Sequence, residues 1–318
     1  MMGGPAGISH HTATKAEDFS ISYHKTYKVV RNLPASLSYI LRHCGTPEAL
    51  GLPGLPADAV DSPVFDVPVK KWSSGLTTTY TFLEELDLIS HAVVIDQTYM
   101  TSPCGKKLVA CGVIAAPPTS PAANWSAAVV ASGSEVHFTD GGWGTNKAAH
   151  PIDVAFDASQ DPGAASSHLD TPASARTHAN MPSPGDPHAE HPSGLLNRAE
   201  WLKFAAAFFN KEPEANRVFE GIKSRFEAIV EKVAAVEKGT ALPVVAFFNA
   251  GKGGIYDGCA YGGSELKITS GYREHLVTHG GGTPHDTALG EKWCAPKAGC
   301  VAYICPNATA FREVSHLP

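Results

Sequence analysis

Two stretches of the chain carry residue types that can hold a ligand. The first is Ser73-Ser74-Gly75-Leu76-Thr77-Thr78-Thr79-Tyr80, between a strand-like run and a helix-like run. Hydroxyls and unsatisfied backbone N–H groups at a helix start can hold a carboxylate, a phosphate or another anionic group. The same residues also suit a plain N-cap in a solvated turn. The second is the glycine-rich loop 251–263, GKGGIYDGCAYGG, where glycines allow close backbone approach and Tyr256 and Tyr261 can present aromatic faces. Lys252 is not followed by Ser or Thr, so the loop lacks phosphate-loop order, and there is no clean GxGxxG. A flexible surface turn is the other reading of that loop.

Other chemistry finds less support. Among the fifteen histidines, His10, His11, His168, His178, His188 and His191 form no HExxH or other fixed-spacing ligand set, so no metal site is expected. There is no GxSxG elbow and no gathering of Asp, Glu and His at strand ends, so no catalytic residues are assigned and an enzyme is not expected. The seven cysteines make no zinc-type CxxC pair; Cys294, Cys300 and Cys305 cluster, which leans towards an oxidising compartment. Sequons at Asn124 and Asn307 are too short to carry weight.

The elements that would position these stretches are organised around His191 to Gly239. Leu195, Leu196, Ala199 and Leu202 form one apolar face, and Phe204 to Phe209 is apolar all round, as in a helix covered on every side. A helix over 195–210 would be ~24 Å long, enough to form a spine between two lobes; a helical hairpin within one α/β domain fits the same pattern. A second helix is expected after Asn210, read as its N-cap, with Val218, Ile222, Phe226, Ile229, Val233 and Val236 at helical spacing and Gly239 as its stop.

Ahead of the spine, residues 1–18 read as a disordered start. Phe19 to Arg31 and Ser36 to His43 read as a hairpin, and Val64 to Trp72 as a strand. Thr77 to Leu88 is a helix with Tyr80, Leu83 and Leu86 on its apolar face, and Ala92 to Ile95 a buried strand, completing a parallel unit over 64–96. A short helix is expected over 105–113, and strands at 127–131, 136–138 and 152–156. Residues 158–192, rich in Ala, Ser, Pro, Asp and His, read as a mobile insert. Beyond the helices come a strand at Pro243–Asn249, a helix at Ile268–Thr278 and a strand-like piece at Val301–Ile304.

At 318 residues the chain is long enough for two cores. The fold class expected is α/β: two lobes of parallel-type sheet flanked by helices, 19–157 and 212–318, joined by a spine helix at 193–211. A net charge of -6 and a pI near 6.2 argue against a nucleic-acid or anionic-membrane surface. No apolar run is long enough to span a bilayer. The N-terminus shows no signal-peptide pattern, so the protein is either cytosolic or begins further upstream.

Val64–Pro103 resembles the core of class III substrate-binding proteins of ABC importers, which bind iron–siderophores, haem or cobalamin. The matching pieces are Val67-Pro68-Val69-Lys70, Thr77-Thr78-Thr79, Phe82-Leu83-Glu84-Glu85-Leu86, Val93-Val94 and the Tyr99 to Pro103 run. His191 to Phe204, with Arg198-Ala199-Glu200-Trp201 inside it, resembles the run that opens that family's inter-lobe helix. The likeness over Pro243 to Gly282 is weaker. It implies an extracytoplasmic, monomeric solute-binding protein that hands a small metal chelate to ABC transporter membrane subunits, with no cofactor of its own. The ligand expected is an Fe(III)–siderophore-like complex, with haem or cobalamin next. The ligand-binding residues carried over are Thr77, Thr78, Thr79, Tyr80 and Tyr99 from the first lobe, and Lys252, Tyr256 and Tyr261 from the second. The threonines would donate to ligand oxygens, the tyrosines would stack, and Arg198 and Glu200 would form a salt-bridged helix start. The insert and a second lobe that ends early depart from the family pattern. A structural or interaction protein that keeps the fold without transport is therefore the alternative.

Overall fold

The computed structural model describes residues 18–33, 35–46, 52–74, 77–95, 100–114, 154–157, 178–180, 194–236, 241–245, 249–250, 254–256, 259–261, 264–266, 272–284, 295–296 and 303–304. The chain is α/β and divides into two compact units, Met1–Pro184 with Glu200–Phe219, and Gly185–Ala199 with Glu220–Pro318.

In the first unit, β1 (Phe19–Tyr23), β2 (Tyr27–Asn32) and β3 (Leu37–His43) form an antiparallel meander, and β4 (Val64–Val67) joins β3 in parallel. The expected single strand Phe19–Arg31 is thus two. It folds back at His24, whose N–H donates to the Tyr27 carbonyl at 2.8 Å, with the two rings stacked at 4.3 Å. Both faces of this sheet are covered. Tyr27, Val29 and Ile40 pack with Ala59, Leu52 and Leu55 on one side, while Val30, Tyr39, Leu41 and Phe65 join the main core on the other.

Pro68 ends β4. It cannot donate to a ladder, its bond to Val67 is cis, and the chain leaves the sheet there. The expected strand Val64–Trp72 is therefore two strands in two sheets, because β5 (Trp72–Ser74) starts afresh. A second sheet, all parallel, has the order β6-β5-β7-β8, with β6 at Ala92–Ile95, β7 at Val154–Asp157 and β8 at His178–Asn180. Strand β8 lies within 158–192, which was expected to lack regular structure. The expected strands at 127–131 and 136–138 fall outside the described residues. Helix α1 (Thr77–Glu85) follows β5, and α2 (Pro103–Ala110) follows β6. Tyr80, Leu83 and Leu86 are all buried, as the helical spacing requires. Asp87 at φ 60 closes α1, and the Leu88 N–H reaches back to the Leu83 carbonyl at 2.8 Å.

Helix α3 (Gly194–Ala207) forms within the stretch expected to be helical over 195–210. Phe204 and Phe208 are fully buried, and Phe209 nearly so. Phe204 meets Phe19 at 5.9 Å and Tyr39 at 6.0 Å, while Phe208 meets Phe65 at 5.3 Å. The Val69 N–H donates to the Phe208 carbonyl at 2.9 Å. These described partners all precede residue 73.

Asn210 does not cap the next helix. It takes φ 55 and closes α3, with the Lys211 N–H donating to the Ala206 carbonyl at 3.1 Å, a left-handed C-terminal stop that Asn tolerates. Helix α4 (Glu212–Val236) starts two residues on. Lys28, buried on β2, binds this corner through the Ala207 carbonyl at 2.9 Å, Asn210 Oδ1 at 2.7 Å and the Glu212 carboxylate.

The second unit is built of short strands. Parallel pairing is confined, among the described residues, to β9 (Val244–Val245) with β14 (Thr283–Pro284). Strands β10 (Asn249–Ala250), β13 (Ser264–Leu266), β15 (Ala295–Pro296) and β16 (Tyr303–Ile304) form an antiparallel sheet. Strands β11 (Gly254–Tyr256) and β12 (Cys259–Tyr261) pair antiparallel. Helix α5 (Tyr272–His279) ends at Gly280, where the glycine run begins.

Candidate functional site

The parallel sheet of the first unit has the strand order that creates a binding edge. From β5 the chain moves to β6 on one side, then crosses to β7 on the other. The connection from β5 goes to β6 on one side and that from β7 to β8 on the other, so a switch point falls between β5 and β7 at their carboxyl ends. In open α/β sheets ligands gather at such a switch point. The register sets Ser74 opposite Phe156, so the end of β5 and the last residue of β7, Asp157, share this edge. Thr77 opens α1 directly beyond it.

Four predicted residues lie at this helix start, with different fates. Thr77 and Thr78 occupy its first two positions, where backbone N–H groups lack helical partners. Thr79 is fully buried and its hydroxyl has no hydrogen-bond partner among the described residues. Tyr80 is buried, its ring packs 6.2 Å from that of Trp72, and its hydroxyl lies against the first turn of α2. Burial pushes the Tyr80 phenol pKa up, with Ser102 acting against the shift and the charge of Glu84 adding to it. Tyr80, expected to stack on a ligand, instead shares the apolar stripe of Leu83 and Leu86, and that stripe is buried in the core.

Helix α2 begins at the carboxyl end of β6, beside β5, so both helix starts border the same edge. Ser102 caps it, its Oγ accepting from the Gly105 N–H at 3.0 Å and donating to Glu84 Oε1 at 2.6 Å. Sequence reasoning missed this cap; Ser102-Pro103 before a helical run was its signal. Gly105 is the other missed position. A Cβ there would lie 2.0 Å from the Tyr80 hydroxyl, so only glycine lets α2 start this close to α1.

Tyr99 and Lys252 lie outside the described residues. Tyr256 and Tyr261 belong to the second unit, in a hairpin rather than the expected loop. Ile255, Tyr256 and Tyr261 favour strands, and the intervening Asp257-Gly258 is a favoured two-residue hairpin sequence. Gly254 pairs with Tyr261 and Tyr256 with Cys259.

Arg198 and Glu200 were expected to form a salt-bridged helix start. Glu200 is fully buried and pairs with Lys203 at 2.6 Å, with the Lys203 ammonium 4.2 Å above the Phe219 ring. Cys44, Cys104 and Cys111 are exposed free thiols. Among the described residues no cluster of three or more His, Cys, Asp or Glu is placed to hold a metal ion, and no helix is long and apolar enough to cross a membrane.

No family model and no curated protein sequence matches the chain. Solved structures do resemble it. A periplasmic heme-binding protein from Pseudomonas aeruginosa is 11% identical with a TM-score of 0.46, over 77% of this chain and 69% of that one. An ABC transporter substrate-binding protein from Listeria monocytogenes EGD-e is 12% identical with a TM-score of 0.41, over 77% and 72%. A third, holo-ViuP, is 10% identical with a TM-score of 0.41, over 77% and 69%. At such identities and TM-scores the account of the site rests on this chain's own residues.

Proposed function

We propose that the chain is a solute-binding protein whose ligand seats at the carboxyl edge of the parallel sheet in the first unit. The carrying observation is the switch point between β5 and β7, with the hydroxyl-rich start of α1 directly beyond it. Thr77 and Thr78, with the unsatisfied N–H groups of their turn, offer donors to ligand oxygens and a partial positive charge to an anion. An oxygen-rich anionic ligand fits such donors. We take a ferric siderophore-like chelate as the leading candidate, with haem and cobalamin next, held outside the cytoplasm for delivery to an ABC importer.

The hairpin of the second unit, which carries Tyr256 and Tyr261, is a separate candidate recognition element. Lys252 and Tyr99 remain proposed contacts on sequence grounds alone.

Titration of the chain with ferric hydroxamate and catecholate chelates, haemin and cobalamin, followed by tryptophan emission, tests this reading. Trp72 opens β5 and reports on it. Saturable quenching by one of these ligands below millimolar concentration is expected. If none binds in that range, the solute-binding reading fails, and an interaction protein that retains the fold takes its place.

A further inference from the structure

His275 and His279 stand one helical turn apart on α5, in the second unit. Residues four apart share a helix face, and their imidazole centroids are 5.8 Å apart, the rings inclined at 40°. Both rings are half-buried. The Nδ1 of His279 lies 2.7 Å from the His275 carbonyl oxygen. A carbonyl can only accept, so Nδ1 carries the proton, and the neutral ring keeps its lone pair on Nε2. That is how metal-ligating histidines are commonly held, with one nitrogen tied to a carbonyl and the other free to coordinate. Phe226 of α4 packs on the His279 ring at 5.3 Å and narrows its orientations further.

Charge favours a cation here as well. His279 lies in the last turn of α5, where the helix dipole places its partial negative charge, and His275 stands one turn before it. Imidazole nitrogen prefers borderline transition ions to calcium or magnesium. We propose that His275 and His279 form a two-imidazole chelating site for a divalent transition ion of the zinc class, with water completing the coordination. An ion bridging these two rings ties one turn to the next, so binding stabilises α5 itself.

Hydrogen exchange read by mass spectrometry on the full chain, with zinc chloride as the probe, tests this. Peptides covering 272–279 should exchange about tenfold more slowly at zinc ten times its dissociation constant, since bound metal multiplies local stability by that ratio. His275→Gln and His279→Gln should each abolish the protection, because one imidazole cannot bridge two turns. His10→Gln with His11→Gln should leave it intact. The His275→Gln variant keeps the His279 hydrogen bond, so it carries the test if His279→Gln frays the helix without metal. Exchange that zinc leaves unchanged over 272–279, or protection that survives in His275→Gln, overturns the proposal.

Discussion

Tyr80 and Gly105 touch where α1 meets the first turn of α2, so closely that a side-chain carbon at Gly105 would lie 2.0 Å from the Tyr80 hydroxyl and 2.6 Å from the Met100 sulfur. The contact couples the two helix starts that border the proposed ligand edge. It also holds Tyr80 in the core, beside Leu83.

Gly105→Ala should therefore cost about 1–3 kcal/mol, the usual range for forcing an extra carbon into a packed site. Tyr80→Phe removes a buried hydroxyl that finds no hydrogen bond of good geometry among the described residues, Ser102 being its nearest polar influence, so it should be near neutral. In the double variant the Gly105→Ala penalty should shrink. Urea unfolding of the three variants measures this, and equal penalties with and without the hydroxyl would count against the contact.

The sequence already held the correct answer for Tyr80, since its spacing with Leu83 and Leu86 marks one buried stripe. The family resemblance assigned it to the ligand, while helical periodicity placed it in the core. All-round apolar composition likewise located α3 and its buried Phe204 and Phe208. Two long apolar runs misled, because Phe19–Arg31 and Val64–Trp72 each join two strands. In the second run Pro68 was the visible break. Asn210 was ambiguous by nature: a residue that suits an N-cap also tolerates the left-handed conformation it adopts here. Ser102 and Gly105 carry no periodic signal. Their roles exist only once α1 and α2 are brought together.

Phe208→Ala should cost roughly 3–5 kcal/mol, as for other fully buried Phe truncations. The side chain packs between Tyr39, Phe65 and Phe204, and little around it can collapse into the space. An unchanged thermal melt would show that α3 is not central to the core.

Lys28 and Glu212 form a buried ion pair that ties β2 to the corner between α3 and α4. Lys28→Met strands the Glu212 carboxylate and should destabilise by about 3–5 kcal/mol. Adding Glu212→Leu should recover much of that loss, because two apolar side chains avoid the desolvation both charges suffer. Denaturant midpoints for the two single variants and the double decide it. Additive losses would mean that the residues act independently.

Stability should fall on the alkaline side. The pKa values of Tyr23, Tyr27 and Tyr80 are all raised, chiefly by burial, with the Glu212 carboxylate adding to the shift at Tyr23. Each folded pKa lies above the unfolded value of about 10. The resulting stabilisation is complete below that pH and is lost as pH rises towards the folded values. Lys28, whose pKa burial lowers, acts with the opposite sign below its own unfolded value. Melting temperatures taken through the alkaline range should drop, and less steeply in Tyr23→Phe with Tyr80→Phe. A slope identical to that of the unaltered protein would contradict the assignment.

The central claim is that the ligand seats where β5 ends and α1 begins. Calorimetric titration of a ferric siderophore chelate into the intact chain and into Thr77→Val with Thr78→Val tests it most directly. The account predicts binding to the intact chain that weakens by about 1–3 kcal/mol in the variant, as when donors to a charged ligand are lost. Equal affinity in both proteins would contradict it and place the ligand elsewhere.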